Sequence, residues 1–380
     1  MLDKLNRLTE SHGELRPGRG LITGVIALSL AILCFLAVLA FHFPEYLTTP
    51  QLRRTYDLGL MRRLLYAAMV VAGALALFNI LFRRTRWLAA GAFVLLGLAM
   101  WLGGHRVEVD PDFPDGTPYI GLDWFILDLL GSTLLFVFIE KLFPLRRDQP
   151  VFRPEWQTDF HHFMVNHLLV GFLLLATNLM VHKFFGWAAK DGVQAWVQGL
   201  PFWAALLLIA LVADLVQYGI HRAYHQVPAL WRLHAVHHSV KSMDWLAGSR
   251  QHILEVLITR TLVLAPIFVL GFSKEVIDGY IVIVGFQAVF NHANVSVPVH
   301  RLGPLRYLIV TPNFHHWHHA RDGEAIDRNY AAHFAFLDHL LGTAVQSDRA
   351  WPAHYGVVGD DVPGGFWKQL LYPLARRQGR

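Results

Sequence analysis

The sequence is poor in cysteine and in charge. One cysteine, Cys34, stands among 380 residues and lies inside an apolar run, so no disulfide framework holds the chain together. Only 16% of residues are charged while 54% are hydrophobic; a soluble domain carries about a quarter charged. A chain of this length could make two soluble domains or one polytopic membrane domain, and its long apolar runs decide for the second. The net charge of +5 comes from basic residues set mostly beside those runs, as at a membrane surface. A nucleic-acid groove needs a denser basic patch, so nucleic acid is not expected as a partner. There is no internal repeat and no low-complexity linker.

A bilayer-spanning helix takes roughly 20 mostly apolar residues. Eight runs qualify as candidates: Leu21–Phe43, Leu64–Phe82, Leu88–Gly103, Trp124–Phe143, Phe163–Phe185, Phe202–Gly219, Ile253–Phe272 and Val276–Phe290. The third and last are short. The last two, divided by Gly271-Phe272-Ser273-Lys274, read either as two crossings or as a hairpin that does not cross fully. The first is too long and too weakly flanked by small residues for a cleaved signal peptide and reads as an anchor. With all eight crossing, Arg16, Arg19, Arg83, Arg84, Arg86, Arg146, Arg147, Arg222, Arg232, Lys241 and Arg250 fall on one side, which should be cytoplasmic. Glu108, Asp110, Asp112 and Asp115 fall on the other. Arg53, Arg54, Arg62 and Arg63 dissent from this count.

Histidine is what the chain has in excess. Twelve of its 22 histidines lie between His221 and His319. They form three spaced groups: His221 with His225; His234 with His237 and His238; and His315, His318 and His319, which repeat the second spacing. Residues three or four apart share a helix face, so one short helix can supply two or three imidazoles. Neutral imidazole suits iron, zinc, copper or nickel. Eight such residues exceed the about four to six ligands one ion takes and suit two ions. A lone pair such as His221 and His225 would read as ordinary surface or core histidine. Three groups with two matching spacings do not, because an unmetallated cluster beside a membrane is costly in charge or in unpaired donors. His161, His162 and His167 read as interfacial or helix-packing polar groups, and His333, His339 and His354 as ordinary surface residues. Trp231, Trp245 and Trp317 are either interfacial tryptophans or the lining of a lipid entrance.

The pattern HxxxH, HxxHH, HxxHH at the ends of membrane helices resembles the fatty acid hydroxylase superfamily, also called the sterol desaturase family. Further matching features are Asp214 to His225, Pro228-Ala229-Leu230-Trp231, and Ser239 after the second group. Arg250 with His252 and Glu255 is similar to the family's Arg-x-His-x-x-Glu element, and His292 with Asn294 to its short His-x-Asn element. Thr311-Pro312-Asn313-Phe314 leads into the third group, and Asp327-Arg328-Asn329-Tyr330, Asp338 and Gly342-Thr343 close the match. Leu337 and Leu341 depart from the tryptophan and phenylalanine common in relatives. The resemblance covers about residues 120 to 345 and implies three parts: an N-terminal transmembrane extension, 1–120; a histidine-box hydroxylase- or desaturase-like domain, 121–345; and a tail, 346–380.

The fold it implies is an all-α polytopic bundle with a histidine-rich helical cap on the cytosolic side. The implied ligands are His221, His225, His234, His237, His238, His315, His318 and His319, with His292 as a ninth. The implied metal is two iron ions, although the residues alone leave zinc open, and O2 is the implied co-substrate. His316 is the spacer of its group and is expected to hydrogen-bond behind the ligands, and His252 is either a ligand or a polar neighbour bonded to Glu255. Asp214, Asp327 and Asp338 are candidates either to orient ligand rings through the other ring nitrogen or to serve as caps and salt bridges. The implied activity is hydroxylation or desaturation of a lipid, with alkyl-ether oxidation as an alternative of the same chemistry. No electron carrier is visible in the chain, so a separate donor protein is expected. A metal transporter would place its ligands near the midplane, and a zinc hydrolase would want a glutamate base in a HExxH motif; the first group here reads His-Arg-Ala-Tyr-His.

Overall fold

The computed structural model describes residues 21–53, 55–82, 86–109, 117, 119–297, 299–321, 323–347, 350–359 and 362–375. Arg16, Arg19, Arg54, Arg83, Arg84, Asp110, Asp112 and Asp115, which enter the charge count, lie outside them. Among the described residues the protein is all-α, with only two isolated bridges, Pro144 with Val295 and Ala320 with Tyr355. The principal helices are α1 (Leu21–His42), α2 (Leu58–Phe82), α3 (Arg86–Trp101), α4 (Leu122–Leu142), α5 (Trp156–Leu168), α6 (Val170–Phe185), α7 (Asp191–Gln198), α8 (Phe202–Gln226), α9 (Pro228–His238), α10 (Ile253–Leu270), α11 (Lys274–His292), α12 (Pro312–His318), α13 (Phe336–Leu340) and α14 (Phe366–Leu371).

The protein is an integral, multi-pass membrane protein. Among the described residues six segments are long and apolar enough to cross: Thr23–His42, Leu58–Phe82, Arg86–Arg106, Leu122–Leu142, Phe202–Gln226 and Ile253–Leu270. The expected eight spans are thus revised. The run from Phe163 to Phe185 is broken: Trp156–Leu168 and Phe172–Ala188 meet at 59° and make at most one bent span. The last run sits in α11, a full 19-residue helix, but Lys274, Glu275 and Asp278 in its first turns make it too polar to count as a span on the same criterion. The short third run extends to 21 residues once Arg86 and Gly104–Arg106 are included.

The chain divides into two compact units, one up to Leu127 with His167–Phe172, the other Asp128–Asn166 with Leu173–Arg380. In the first unit α1, α2 and α3 pack through small residues. Ala27, Ala31, Cys34 and Val38 of α1 form a stripe that meets Ala72 and Ala76 of α2 and Ala89, Ala92 and Ala99 of α3. Lipid tails are as apolar as leucine, so close packing rather than hydrophobic burial holds such helices together. Gly24 shows how close: a Cβ there would meet Leu88 at 2.9 Å. The buried Asn79 accepts a hydrogen bond from Thr23 Oγ1 at 3.1 Å.

In the second unit, α8 carries the first histidine group. Its 25 residues extend about 37 Å at 1.5 Å per residue, longer than the roughly 30 Å of hydrocarbon a spanning helix must cross. Pro228 then ends it: proline cannot continue a helix but is well placed in the first turn of the next. The chain turns directly into α9 and the second group. Val197, Ala205, Leu206, Ile209, Ala213, Ile267, Phe272, Val276 and Tyr280 bring α7, α8, α10 and α11 into one core. Gly271 (φ 67°) caps α10 in the left-handed conformation, the region glycine enters without steric cost, and lets α11 run back.

Candidate metal centre

All nine histidines of the expected ligand set converge. His221, His225, His234, His238 and His318 each offer a nitrogen within 4.8 Å of the others, and His237, His292, His315 and His319 do the same. The two clusters adjoin, with His238 stacked on His319 at a ring separation of 4.5 Å. Helical spacing explains the partition. In α9, His234 and His238, one turn apart, go to the five-histidine cluster and His237 to the four-histidine cluster. In the third group, His315 and His319 go together to the four-histidine cluster and His318 crosses to the other. Each HxxHH group therefore feeds both clusters.

The excursion from Ile253 to His292 leaves this place and returns to it. His237 Nδ1 donates to the Arg250 carbonyl, just before α10, at 3.1 Å, and His237 Nε2 lies 3.3 Å from Nε2 of His292, the last residue of α11.

The ring nitrogens that face away from the clusters fix the tautomers. His221 Nδ1 donates to the Tyr330 carbonyl (2.8 Å), His237 to Arg250, His292 to Ala288 (2.7 Å) and His318 to Arg328 (2.6 Å). His225 Nδ1 donates to Asp327 Oδ1 at 3.0 Å and His234 Nδ1 to Glu255 Oε1 at 2.7 Å. Carbonyl oxygens only accept, and so do carboxylates when ionised; in the four carbonyl-bonded rings, and in His225 and His234 when Asp327 and Glu255 are ionised, the proton is on Nδ1 and the Nε2 lone pair points inward. His221 Nε2 then faces His234 Nε2 at 3.0 Å, and His237 Nε2 faces His292 Nε2 at 3.3 Å. Neither contact is a hydrogen bond, because both atoms are acceptors. The Nε2 atoms of His225 and His318 and Nδ1 of His319 are buried without any partner. Each cluster thus holds opposed lone pairs away from water; even with His238 donating to His234 (3.2 Å) and His315 to His292 (2.9 Å), the facing lone pairs of His221 and His237 are left for a cation to satisfy. Burial, reinforced by neighbouring imidazoles, holds His234, His237, His238, His315, His318 and His319 well below the ordinary histidine value. The rings are therefore neutral, the form that ligates metal.

The acceptors are themselves held. Asp327 and Asn329 adopt φ of 57° and 59°, a left-handed conformation that Asp and Asn tolerate best among residues with a side chain. Asn329 donates to the carbonyls of Phe314 (2.8 Å) and Val345 (2.6 Å) and accepts from Val345 N (2.7 Å). Asp338 accepts from the N–H groups of Tyr330 and Ala331 and from Thr343 Oγ1. Asp214 accepts from the N–H groups of Ala332, His333 and Phe334. On the other flank Arg250 is fully buried. It pairs with Asp159, with Glu155 at 3.0 Å and with Ser239 Oγ at 3.2 Å, and Arg153 bridges Asp159 and Asp244.

Several expectations are corrected by these contacts. Asp214 and Asp338 do not touch a ligand ring; they hold the backbone of residues 330–334, so their effect on the rings is one step further away. Asp327 and Glu255 do bond ring nitrogens. His252 lies outside both clusters and is not bonded to Glu255 through its ring: Nδ1 accepts from Leu254 N at 3.2 Å, capping α10, and Nε2 donates to the Leu370 carbonyl at 3.0 Å. His316 also lies outside and is hydrogen-bonded to Tyr355 OH at 2.9 Å. His333 is buried, not surface, between Gln287 and Tyr280. Trp231 stands against the rings of His225 and His238, whereas Trp245 is buried beside Phe163 and Trp317 donates to the Ala350 carbonyl.

Residues 206–343 match the fatty acid hydroxylase family model. This chain contains a fatty acid hydroxylase domain. The matched stretch begins on α8 and ends just after α13, so it takes in all nine clustered histidines. The chain is 27% identical over 262 residues to the ornithine lipid hydroxylase OlsE of Rhizobium tropici, covering 67% of this chain and 76% of that protein. It is 30% identical over 133 residues to human alkylglycerol monooxygenase, 35% of this chain but only 29% of that protein. It is also 27% identical over 177 residues to the fatty acid hydroxylase vlmA of Lecanicillium sp, 42% of this chain and 48% of that protein. No solved structure matches the chain.

Sequence reasoning missed what closes the hydroxylase domain from outside it. Residues 350–356 cover α12: Ala350 O accepts from Asn313 and Trp317, and Gly356 N donates to His319 O. Gln369 is buried between His162 (3.0 Å) and Ser239 (3.3 Å). Neither segment carries a motif. The available signals were the aromatic and glycine content of 350–366 and an apolar stripe in 366–374.

Proposed function

We propose that the protein is an iron-dependent lipid monooxygenase, with His221, His225, His234, His238 and His318 holding one iron ion and His237, His292, His315 and His319 the other. The observation that carries this reading is the pair of opposed, buried Nε2 lone pairs in each cluster, set side by side. Two ferrous ions at such a site supply the power to activate O2 against an unactivated C–H bond, which no side chain can do. One oxygen atom enters the C–H bond and the other leaves as water, consuming two electrons and two protons; the electrons come from a separate donor protein. The residues of the chain set ring orientation, keep the rings neutral and exclude water. The lipid reading is supported by the relatives' names and by the site's place at the end of a membrane-spanning helix, where an alkyl chain can approach from the bilayer. The similarity to an ornithine lipid hydroxylase over two thirds of this chain favours hydroxylation over desaturation. Alkyl-ether oxidation stays a second reading because of the alkylglycerol monooxygenase match.

The test combines elemental analysis of anaerobically prepared protein with oxygen uptake and lipid profiling of a deletion strain. Two iron ions per chain, lipid-dependent oxygen uptake and a missing oxygenated lipid are expected. One ion or fewer with all nine histidines intact, or uptake indifferent to lipid, refutes the reading. With the bent pair Trp156–Leu168 and Phe172–Ala188 taken as one crossing, the charge count favours the cytoplasmic face for the site. Reporter fusions after His238 and after His319 should both read cytoplasmic, and opposite sides would sink the shared centre.

A further inference from the structure

The C-terminal segment lies outside the family match yet clasps the helices that carry the histidines. Phe366 packs its ring on His161 and His162 of α5. Gln369 bonds His162 and Ser239, and the Leu370 carbonyl accepts from His252. Arg232 of α9 donates to the carbonyls of Tyr372, at 2.7 Å, and Ala375, with its guanidinium over the Tyr372 ring. One side of Phe366–Leu374 is thus fully engaged.

The other side is bare and apolar. Trp367, Leu371 and Leu374 are 72%, 61% and 78% exposed, at i, i+4 and i+7, the spacing of one helical face. Lys368 beside them is exposed. The level of this face is set by one bond. His252 caps α10, whose body Ile253–Leu270 is a membrane span. Leu370 is bonded to that cap, so the segment lies where α10 enters the bilayer. Leu254, in the first turn of the span, is itself 47% exposed, as a lipid-facing residue should be.

We propose that Phe366–Leu374 is an interfacial anchor lying on the same bilayer that α10 crosses, with Trp367, Leu371 and Leu374 in the headgroup–acyl boundary and Lys368 toward anionic headgroups. Tryptophan at this depth, an apolar face below and a basic residue beside it are the chemistry of an in-plane membrane contact. Through Gln369 and Arg232 the anchor ties α9, and with it the second histidine group, to the membrane surface. The inference rests on the multi-pass reading of α10 and not on the identity of the metal or of the substrate.

The test uses the whole protein in vesicles of phosphatidylcholine and phosphatidylglycerol containing a phospholipid with a photoactivatable acyl chain. Irradiation should cross-link Trp367, Leu371 or Leu374, read by peptide mass spectrometry, alongside Leu254 as the lipid-facing reference. Spin labels on W367C, L371C and L374C, each in a C34A background, provide a second measurement. Their collision ratio of oxygen to a water-soluble nickel complex should be several-fold above that of G364C and close to that of L254C. Absence of cross-links in 366–374 while Leu254 is labelled, or collision ratios equal to that of G364C, overturns the anchor. Cross-linking confined to a second protein chain overturns it in favour of a protein-binding face.

Discussion

Replacing Asn329 by alanine should remove one metal and leave the other. Asn329 makes three hydrogen bonds, to Phe314 O, Val345 O and Val345 N, and sits at φ 59°. Truncation loses those bonds and leaves buried carbonyls underused, at about 1 kcal/mol per bond, and alanine at positive φ adds about 1 kcal/mol more. The sum, about 3–4 kcal/mol, is well within the about 5–15 kcal/mol that keeps a typical domain folded, so the protein should survive. The loss falls on a segment that gives Asp327, Arg328 and Tyr330 to His225, His318 and His221. All three rings belong to the five-histidine cluster. The acceptors for His237 and His292 in the other cluster, Arg250 and Ala288, lie elsewhere. Asn329→Ala should therefore fall from two ions per chain to about one, with Asn329→Gly milder because glycine tolerates the backbone. Elemental analysis and a chelator titration in detergent check this. Retention of both ions at near-native affinity, or parallel loss of both, would refute the assignment of that loop to one cluster.

Glu255→Leu strands His234 Nδ1 and should weaken metal binding at the five-histidine cluster by about 10–100-fold, while Glu255→Gln, which keeps an acceptor, should be closer to wild type in the same chelator titration. His316→Ala should retain both ions, because that ring bonds Tyr355 outside the clusters, whereas His315→Ala should lose the ion of the four-histidine cluster; the reverse result would misplace the third group by one residue. Acid should destabilise the metal-free protein. The folded-state values of His234, His237, His238, His315, His318 and His319 are lowered, so the unfolded chain binds more protons once the pH falls below about 6.5. Stability is full above that value and is lost below it, seen as a falling melting temperature between about pH 7 and about pH 5; a flat or rising profile would mean the rings are not held neutral.

The histidine groups were legible because helical periodicity is local: His221 with His225, and the two HxxHH runs, announce shared faces before any tertiary contact is known. Their division into five and four was not, because it depends on how the groups meet in space, and His237 and His318 each turn to the cluster that the i, i+4 pair of their own group avoids. Asp214 and Asp338 were visible as candidates to orient ligand rings, but they accept instead from backbone N–H groups of residues 330–334, a loop more than a hundred residues from Asp214, and Asp338 also from Thr343 Oγ1. The spans were legible from apolar runs except where Lys274, Glu275 and Asp278 dilute α11, and where the run after Phe163 is broken into two helices. His252 shared a motif with Glu255, yet only Glu255 faces a ring. His333 was misread because its polar partners, Gln287 and Tyr280, come from α11 and leave no trace in the neighbouring sequence.

The centre also shows why residues remote from any ligand should matter to it. Of the six Nδ1 donors whose acceptors are fixed, four use backbone carbonyls: Tyr330, Arg250, Ala288 and Arg328. A carbonyl survives a side-chain substitution at its own position, so the tautomers of His221, His237, His292 and His318 do not depend on the chemistry of the side chain at the residue that sets them. They can be changed only by moving that residue's backbone. Asn329, Asp338 and Asp214 hold it on one flank, and the Arg250 ion pairs with Asp159 and Glu155 hold it on the other. These side chains make no hydrogen bond to a ligand ring and act chiefly through the backbone. Their removal should lower metal affinity by letting imidazoles rotate, leaving the charge at the rings as it was, and that separates them from Asp327 and Glu255, which bear directly on His225 and His234.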